Sequence, residues 1–273
     1  MRLIIFTNRD LASNYNLNLL LPELSQWVKN IFISDQVGKP NAATPDQLKS
    51  LKFFEQILPN EILFPLIEQS TEHTQHKKLL TFNEISKHYN IPVESLNDVR
   101  TEASLRKISA LKPDLILSVR YGKIFGKEFL KIPPLGVINL HSGKLPEYRG
   151  VLAVFRALMN NDTSLFTTLH FIDDPSIDTG RIIAYSETPV RKNHALLQHI
   201  LELYPAASRM VIESIKKFAS GQTPESFFQQ EQSASYFTFP DATVLSEFER
   251  RGWKLTDTEF YTDFIRQYQE RDL

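Results

Sequence analysis

Apolar positions fall into two patterns along this chain: short dense runs, and longer stretches in which they recur every three or four residues. Leu3-Ile4-Ile5-Phe6 is a dense run that stops at Thr7-Asn8-Arg9-Asp10 and reads as a buried strand. Leu17, Leu20, Leu21, Leu24, Trp27 and Val28 then recur at helical spacing, and Ile31-Phe32-Ile33-Ser34 is a second strand. A polar loop from Asp35 to Thr44, with Gly38 and Pro40, leads into residues 45–90, which carry a helical pattern that Pro59 and Pro65 are expected to break. Ile91-Pro92-Val93 is a short extended piece, and Leu105, Ile108 and Leu111 mark a helix that ends before Pro113. Leu115-Ile116-Leu117-Ser118-Val119 is apolar enough to be a central strand. Val137 to His141 is another, followed by a helix from about Leu152 to Asn160, a strand from roughly Phe166 to Phe171, and a further strand from Arg181. Ala195 to Ala219 is a long amphipathic helix that stops at Gly221.

Strands alternating with helices over residues 1–190 predict an α/β fold with a doubly wound, mainly parallel, Rossmann-like sheet. Sites in such sheets lie outside the carboxyl ends of the strands. The turn after the first strand has no glycine, so the dinucleotide fingerprint is missing and neither NAD nor ATP is inferred. We expect residues 1–220 to form the main unit. Residues 221–273 are expected to form a small aromatic-rich C-terminal extension packed on it. A helical tail that buries Phe248, Trp253, Phe264 and Tyr268 is the plain reading; a wall of a substrate site or a dimer contact are the functional ones.

Bulk properties narrow the field. The chain has 273 residues, a net charge of −1 and no cysteine, which excludes disulfides and thiolate metal sites. From Ser235 onward eight acids face five bases, a poor footprint for nucleic acid. Only five apolar residues precede Thr7, too few for a signal-peptide core, and no run approaches the ~18–20 apolar residues of a membrane span. A cytoplasmic protein without nucleic-acid or membrane partners, monomeric or homodimeric, is therefore expected. His73 and His76 lie in a polar loop with no carboxylate or thiol partner placed nearby. His194 and His199 are five apart, the wrong spacing for two ligands on one helical face. All four are read as surface residues, and no metal is expected.

The chemistry concentrates between Gly136 and Ile183. Side chains two apart on a strand share a face, so Asn139 and His141 face one cleft. The acidic loop Asp173 to Gly180 adds Asp178. Taken singly these are ordinary: a buried Asn is usually satisfied by neighbours, a strand His is more often structural, and Asp-Thr-Gly is often a turn. Together an amide, an imidazole and a carboxylate suit acyl transfer. The amide can donate to a developing oxyanion, the imidazole can exchange a proton or stabilise the same anion, and the carboxylate can orient the imidazole.

Four motifs extend the pattern: Asn139-Leu140-His141, Leu145-Pro146-Glu147-Tyr148-Arg149-Gly150, Thr168-Leu169-His170 and Asp178-Thr179-Gly180. In this order they resemble the formyltransferases that use 10-formyltetrahydrofolate, specifically over about residues 115–190. The resemblance implies an N-formyltransferase with Asn139, His141 and Asp178 as catalytic residues, and His170, Thr168 and Gly180 supporting them. It also implies a folate pocket lined by Arg120, Tyr121, Gly122, Lys123 and Ile124, by Leu145 and Pro146, and by Asp174. The donor would be 10-formyltetrahydrofolate and the acceptor a primary amine on a small molecule, an amino sugar nucleotide first.

Two positions depart from the family pattern. Lys144 stands where many relatives have an apolar residue, and Phe166 where they usually have glycine. A methionyl-tRNA formyltransferase would be expected to add a basic carboxy-terminal barrel, which the acidic tail does not resemble. A 10-formyltetrahydrofolate hydrolase would share the three catalytic residues but usually carries a domain before this core, and here the core starts at Met1. A non-catalytic folate-binding protein would be expected to lose one of the three.

Overall fold

The computed structural model describes residues 1–35, 44–69 and 77–269. The loop containing Gly38 and Pro40 and the segment containing His73 and His76 fall outside the described residues. Seven strands form one sheet: β1 (Leu3–Asn8), β2 (Val28–Ser34), β3 (Val93–Ser95), β4 (Leu115–Val119), β5 (Val137–His141), β7 (Ser164–Phe171) and β8 (Ile182–Pro189), in the order β3-β2-β1-β4-β5-β7-β8. The first five pair in parallel, and β7 and β8 run antiparallel at one edge. The expected α/β, mainly parallel sheet is what forms.

Both faces of the sheet are covered, as the continuous apolar strands require. On β1, Leu3 and Ile5 join the larger core cluster on one face, while Ile4 and Phe6 join a smaller one on the other. Phe6 packs its ring 5.1–5.4 Å from Phe32, Tyr121, Phe125 and Phe129. The larger face carries α1 (Leu11–Leu24) and the 24-residue helix α8 (Leu196–Ala219).

Pro59 and Pro65 do not break the helical segment. It runs from α2 (Asp46–Lys52) through a wider-wound stretch, Phe53–Leu63, into α3 (Phe64–Gln69). The Phe64 amide reaches back five residues to the Pro59 carbonyl, and the helical path continues through Pro65 at the second position of α3. His199 is not on the surface: it is fully buried, accepts from the Arg191 amide at Nε2, and donates from Nδ1 to the Ala195 carbonyl. The third strand of the chemistry-bearing segment begins at Ile182, one residue later than expected.

The tail divides its aromatics. Helices α9 (Ala242–Arg250) and α10 (Thr258–Arg266) bury Phe248, Tyr261 and Phe264, and Tyr268 beyond them is buried too, all within the larger core. Tyr268 also donates to Asn14 of α1 at 2.6 Å. Phe227, Phe228, Tyr236 and Phe239, which precede these helices, remain exposed. The segment between α8 and α9 instead runs back across the main unit. There β9 (Tyr236–Phe237) pairs with β6 (Arg149–Gly150), and Phe227 bridges to Ile182. Among the described residues no helix is long and apolar enough to cross a membrane.

Phe248 is fully buried with its ring 4.6 Å from Phe155 of α7 (Ala153–Met159). Phe248→Ala is expected to lower stability by about 3–5 kcal/mol, the usual loss for emptying such a site. Denaturant unfolding should show one transition at a lower midpoint. A main transition left unmoved would contradict the shared core.

Candidate active site

Register sets the site. The pairing of β5 with β7 puts Asn139 opposite His170 and His141 opposite Thr168, and directly opposed residues point to the same face. Asn139 Nδ2 accordingly lies 3.1 Å from His170 Nε2. Parallel pairing with β4 places Ser118 beside Asn139, so these side chains sit at the carboxyl ends of β4 and β5.

Asp178 enters from the loop between β7 and β8 with a positive φ of 57°. Its Oδ2 is 3.5 Å from His141 Nδ1 and accepts from the Gly150 amide at 2.9 Å. Its Oδ1 is 3.6 Å from His170 Nε2. The outer nitrogens of both rings donate to carbonyls, His141 Nε2 to Tyr148 O at 2.7 Å and His170 Nδ1 to Phe171 O at 2.8 Å. Carbonyls only accept, so the hydrogen-bond network assigns the protons to those nitrogens. The nitrogens aimed at Asp178 are then the ones that take up or release a second proton. Burial opposes ionisation of Asp178, but the imidazoles of His141 and His170 and the Gly150 amide more than offset it. The carboxyl is held well below the usual aspartate range.

Close backbone approach braces this arrangement. Gly150 has φ of +95°, and a Cβ there would lie 2.2 Å from the Phe237 carbonyl oxygen; one on Gly180 would lie 1.8 Å from that of Phe171. Thr168 Oγ1 accepts from Leu145 N at 3.1 Å and donates to Gly143 O at 2.6 Å, pinning the loop after His141. Asn139, His141, Asp178 and His170 thus converge, with Thr168 and Gly180 as supports.

The residues expected around the folate are distributed differently. Arg120, with φ of +59°, turns its side chain inward to Asp10 at 3.2 Å and Glu55 at 2.9 Å. Tyr121 lies in the smaller core and donates to Leu96 O at 2.6 Å. Gly122 gives its amide to Asn8 Oδ1 at 3.0 Å; Lys123 is half-buried and Ile124 exposed. Leu145 is buried, its carbonyl accepting from Tyr185 at 2.7 Å, and the Pro146 carbonyl accepts from Ser235 N at 3.2 Å. Asp174 is exposed and caps its own turn through Ser176 N at 2.7 Å. The groups of these two loops left facing outward are Gly122, Lys123 and Ile124, one strand over from Asn139.

The Asp10–Arg120–Glu55 cluster fills the point where β1 and β4 lead their connections to opposite sides, the usual ligand crevice of such sheets. Asp10 also caps α1 through Ser13 N at 2.7 Å. An internal carboxylate therefore occupies the helix N-terminus that dinucleotide folds offer to a phosphate. Burial pushes Glu55 up to about 7, against the pull of Arg120 and with the help of Asp10.

The two departures from the family pattern touch each other. Lys144 Nζ lies 5.5 Å from the Phe166 ring centroid and 3.2 Å from Glu147 Oε1. Residues that local sequence reasoning missed are Tyr148, through its carbonyl, and Gln229, Arg149 and Glu231, joined by contacts more than 45 positions apart. Tyr148 and Arg149 carried a signal, inside the Leu-Pro-x-Tyr-Arg-Gly motif; Gln229 and Glu231 carried none.

The family described as Formyl transferase matches residues 66–202, half of the chain, and the chain belongs to that family. The methionyl-tRNA formyltransferase of Kosmotoga olearia is 30% identical over 178 residues, covering 63% of this chain and 56% of that protein. The one from Fusobacterium nucleatum is 26% identical over 230 residues, covering 84% and 71%. The chain spans about half the length of the first curated relatives it matches. Among solved structures, an N-formyltransferase from Helicobacter canadensis in complex with folinic acid and dTDP-3-aminofucose superposes with a TM-score of 0.56 at 18% identity, over 87% of this chain and 71% of that one. Glycinamide ribonucleotide transformylase 1 from Symbiobacterium toebii gives 0.56 at 15%, over 84% and 95%. At these identities the likeness shows the fold alone.

The depressed Asp178 ionisation has a measurable consequence. Its contribution to stability is full above the unfolded aspartate value of ~3.9 and is lost as pH falls towards the lower folded value. The stability gap between wild type and Asp178→Asn, from denaturant melts, should shrink between about pH 5 and about pH 2. A gap that stays constant over that window would contradict the geometry.

Proposed function

We propose that this protein transfers a formyl group from 10-formyltetrahydrofolate to a primary amine of a small molecule. The observation that carries the reading is the convergence of Asn139, His141 and Asp178, with Asp178 3.5 Å from His141 Nδ1, at the carboxyl ends of the central strands. Family membership supports the donor.

In the reaction the neutral amine attacks the formyl carbon, forming a C–N bond while the carbonyl oxygen becomes an anion. The intermediate collapses by breaking the bond from carbon to N10 of the folate, and the proton lost by the amine reaches that nitrogen. Asn139 has two amide N–H groups and His170 takes one; the other has no acceptor among the described residues and is offered to the oxyanion. His141 has Nε2 committed to Tyr148 O, so its exchangeable proton sits at Nδ1, against Asp178. That pair carries the proton from amine to folate nitrogen, through water where the distance requires it. The donor lies along the outward groups of the 122–124 loop, with Arg120, Tyr121, Leu145 and Pro146 shaping the walls from behind and Asp174 at the rim. Residues 1–220 act as the catalytic unit and 221–273 as its extension. A cytoplasmic enzyme, monomeric or homodimeric and using no metal, completes the proposal.

For the acceptor, an amino sugar nucleotide is the first choice. The structural likeness to an N-formyltransferase holding dTDP-3-aminofucose and the exposed Tyr236 beside Gly150 support it. A methionyl-tRNA acceptor is the second reading, favoured by the curated relatives and opposed by the acidic tail.

Tetrahydrofolate release from 10-formyltetrahydrofolate, followed by absorbance with a panel of amino sugar nucleotides, glycinamide ribonucleotide and aminoacylated tRNA, tests the reading. Asn139→Ala is expected to lower kcat by about 10²–10³-fold, as removal of an oxyanion donor does, with the donor still binding by calorimetry. Release without any amine would favour a hydrolase. A wild-type protein that does not bind the folate would sink the proposal.

A further inference from the structure

Asp178 sits on a turn whose backbone is held by a residue from the C-terminal extension. Gln229 Nε2 donates to both the Asp178 carbonyl and the Gly180 carbonyl, each at 2.8 Å. Its Oε1 accepts from Arg149 Nε at 3.2 Å and Nη2 at 2.8 Å. Arg149 is buried and its guanidinium is closed by Glu231 Oε2 at 3.0 Å and Oε1 at 2.7 Å. One amide side chain therefore ties the Asp178 turn to Arg149, whose neighbour Gly150 gives its amide to the Asp178 carboxylate.

The extension is sewn to both loops on either side of Gln229. Phe227 exchanges both backbone bonds with Ile182, at 2.8 and 2.9 Å. Ser235 N donates to Pro146 O at 3.2 Å, Arg149 N to Ser235 O at 3.0 Å, and Val151 N to Phe237 O at 3.0 Å. Residues 227–237 thus run from the strand after Asp178 to the loop after His141. The family match ends at residue 202, so this strap lies outside it.

We infer that Gln229 is a positioning residue for Asp178, through which the C-terminal extension completes the active site. The chemistry is specific. The carbonyls of residues 178 and 180 lie in a turn, with positive φ at Asp178, and the one amide group of Gln229 donates to both. A glutamine does so while its oxygen remains free to face a guanidinium. Without it the turn can pivot and carry the carboxylate away from His141 and His170, whose nitrogens it already meets at 3.5 and 3.6 Å. A misplacement of about 1 Å can cost about 10²-fold in catalysis.

The inference rests on the formyl-transfer reading, so the wild-type transfer assay comes first; absence of transfer there would overturn the reading beneath it. Gln229→Met keeps the length and bulk of the side chain and removes both donors and the acceptor. Its kcat is expected to fall at least about tenfold, with KM for 10-formyltetrahydrofolate within about threefold of wild type. Denaturant melts give a second readout that needs no activity. The stability gap between Asp178→Asn and its parent, which closes between about pH 5 and about pH 2, should be smaller in a Gln229→Met background than in wild type, because that gap isolates Asp178 held against the imidazoles. A brace that was merely structural would leave that gap unchanged. A kcat within about twofold of wild type, a rise in KM that matches the fall in kcat, or an Asp178→Asn stability gap that is the same in both backgrounds would each overturn the inference.

Discussion

One carboxylate organises this protein's site. Asp178 is nearly buried, and a buried charge without partners is strongly unfavourable. Here two imidazoles and the Gly150 amide offset that penalty. Each partner comes from a different element: His141 from β5, His170 from β7 and Gly150 from β6, while Gln229 bonds the backbone of the turn. Fold and site are coupled through this group.

The sheet's usual ligand crevice is closed. Asp10, Arg120 and Glu55 bring one cation and two carboxylates together between β1 and β4, where nucleotide-binding relatives of this architecture leave room for phosphate. The chemistry is instead set one strand further on, at β5, where the sheet turns from parallel to antiparallel pairing. That change in direction matters. Antiparallel register sets Asn139 directly against His170, and the connection that leaves β7 at Phe171, opposite Ile138, carries Asp178 back to His141.

Much of this was legible in the sequence. Period-two alternation put Asn139 and His141 on one face, dense apolar runs marked the central strands, and the ordered motifs pointed to Asp178. What stayed hidden depends on contacts distant in the chain. Gln229 meets Asp178 and Gly180 about fifty positions away, and nothing in its local Phe-Phe-Gln-Gln-Glu setting announces it. His199 looked like a surface residue because its spacing from His194 excluded a shared metal; the spacing said nothing of burial under Trp253. Pro59 and Pro65 read as breakers, yet the helical path runs through both, wider-wound over Phe53–Leu63. Lys144 and Phe166 each looked like an anomaly and are in fact partners.

The central claim is that Asp178 and His141 form a proton-carrying pair for formyl transfer rather than a folate-binding feature. The measurement that tests it most directly is single-turnover formyl transfer by Asp178→Asn, with donor affinity determined on the same sample by calorimetry. The account predicts that 10-formyltetrahydrofolate still binds while transfer to the amine falls by at least about 10²-fold, within the range of a lost general acid–base group. A variant that transfers at the wild-type rate would contradict it, as would one in which binding and transfer are lost together.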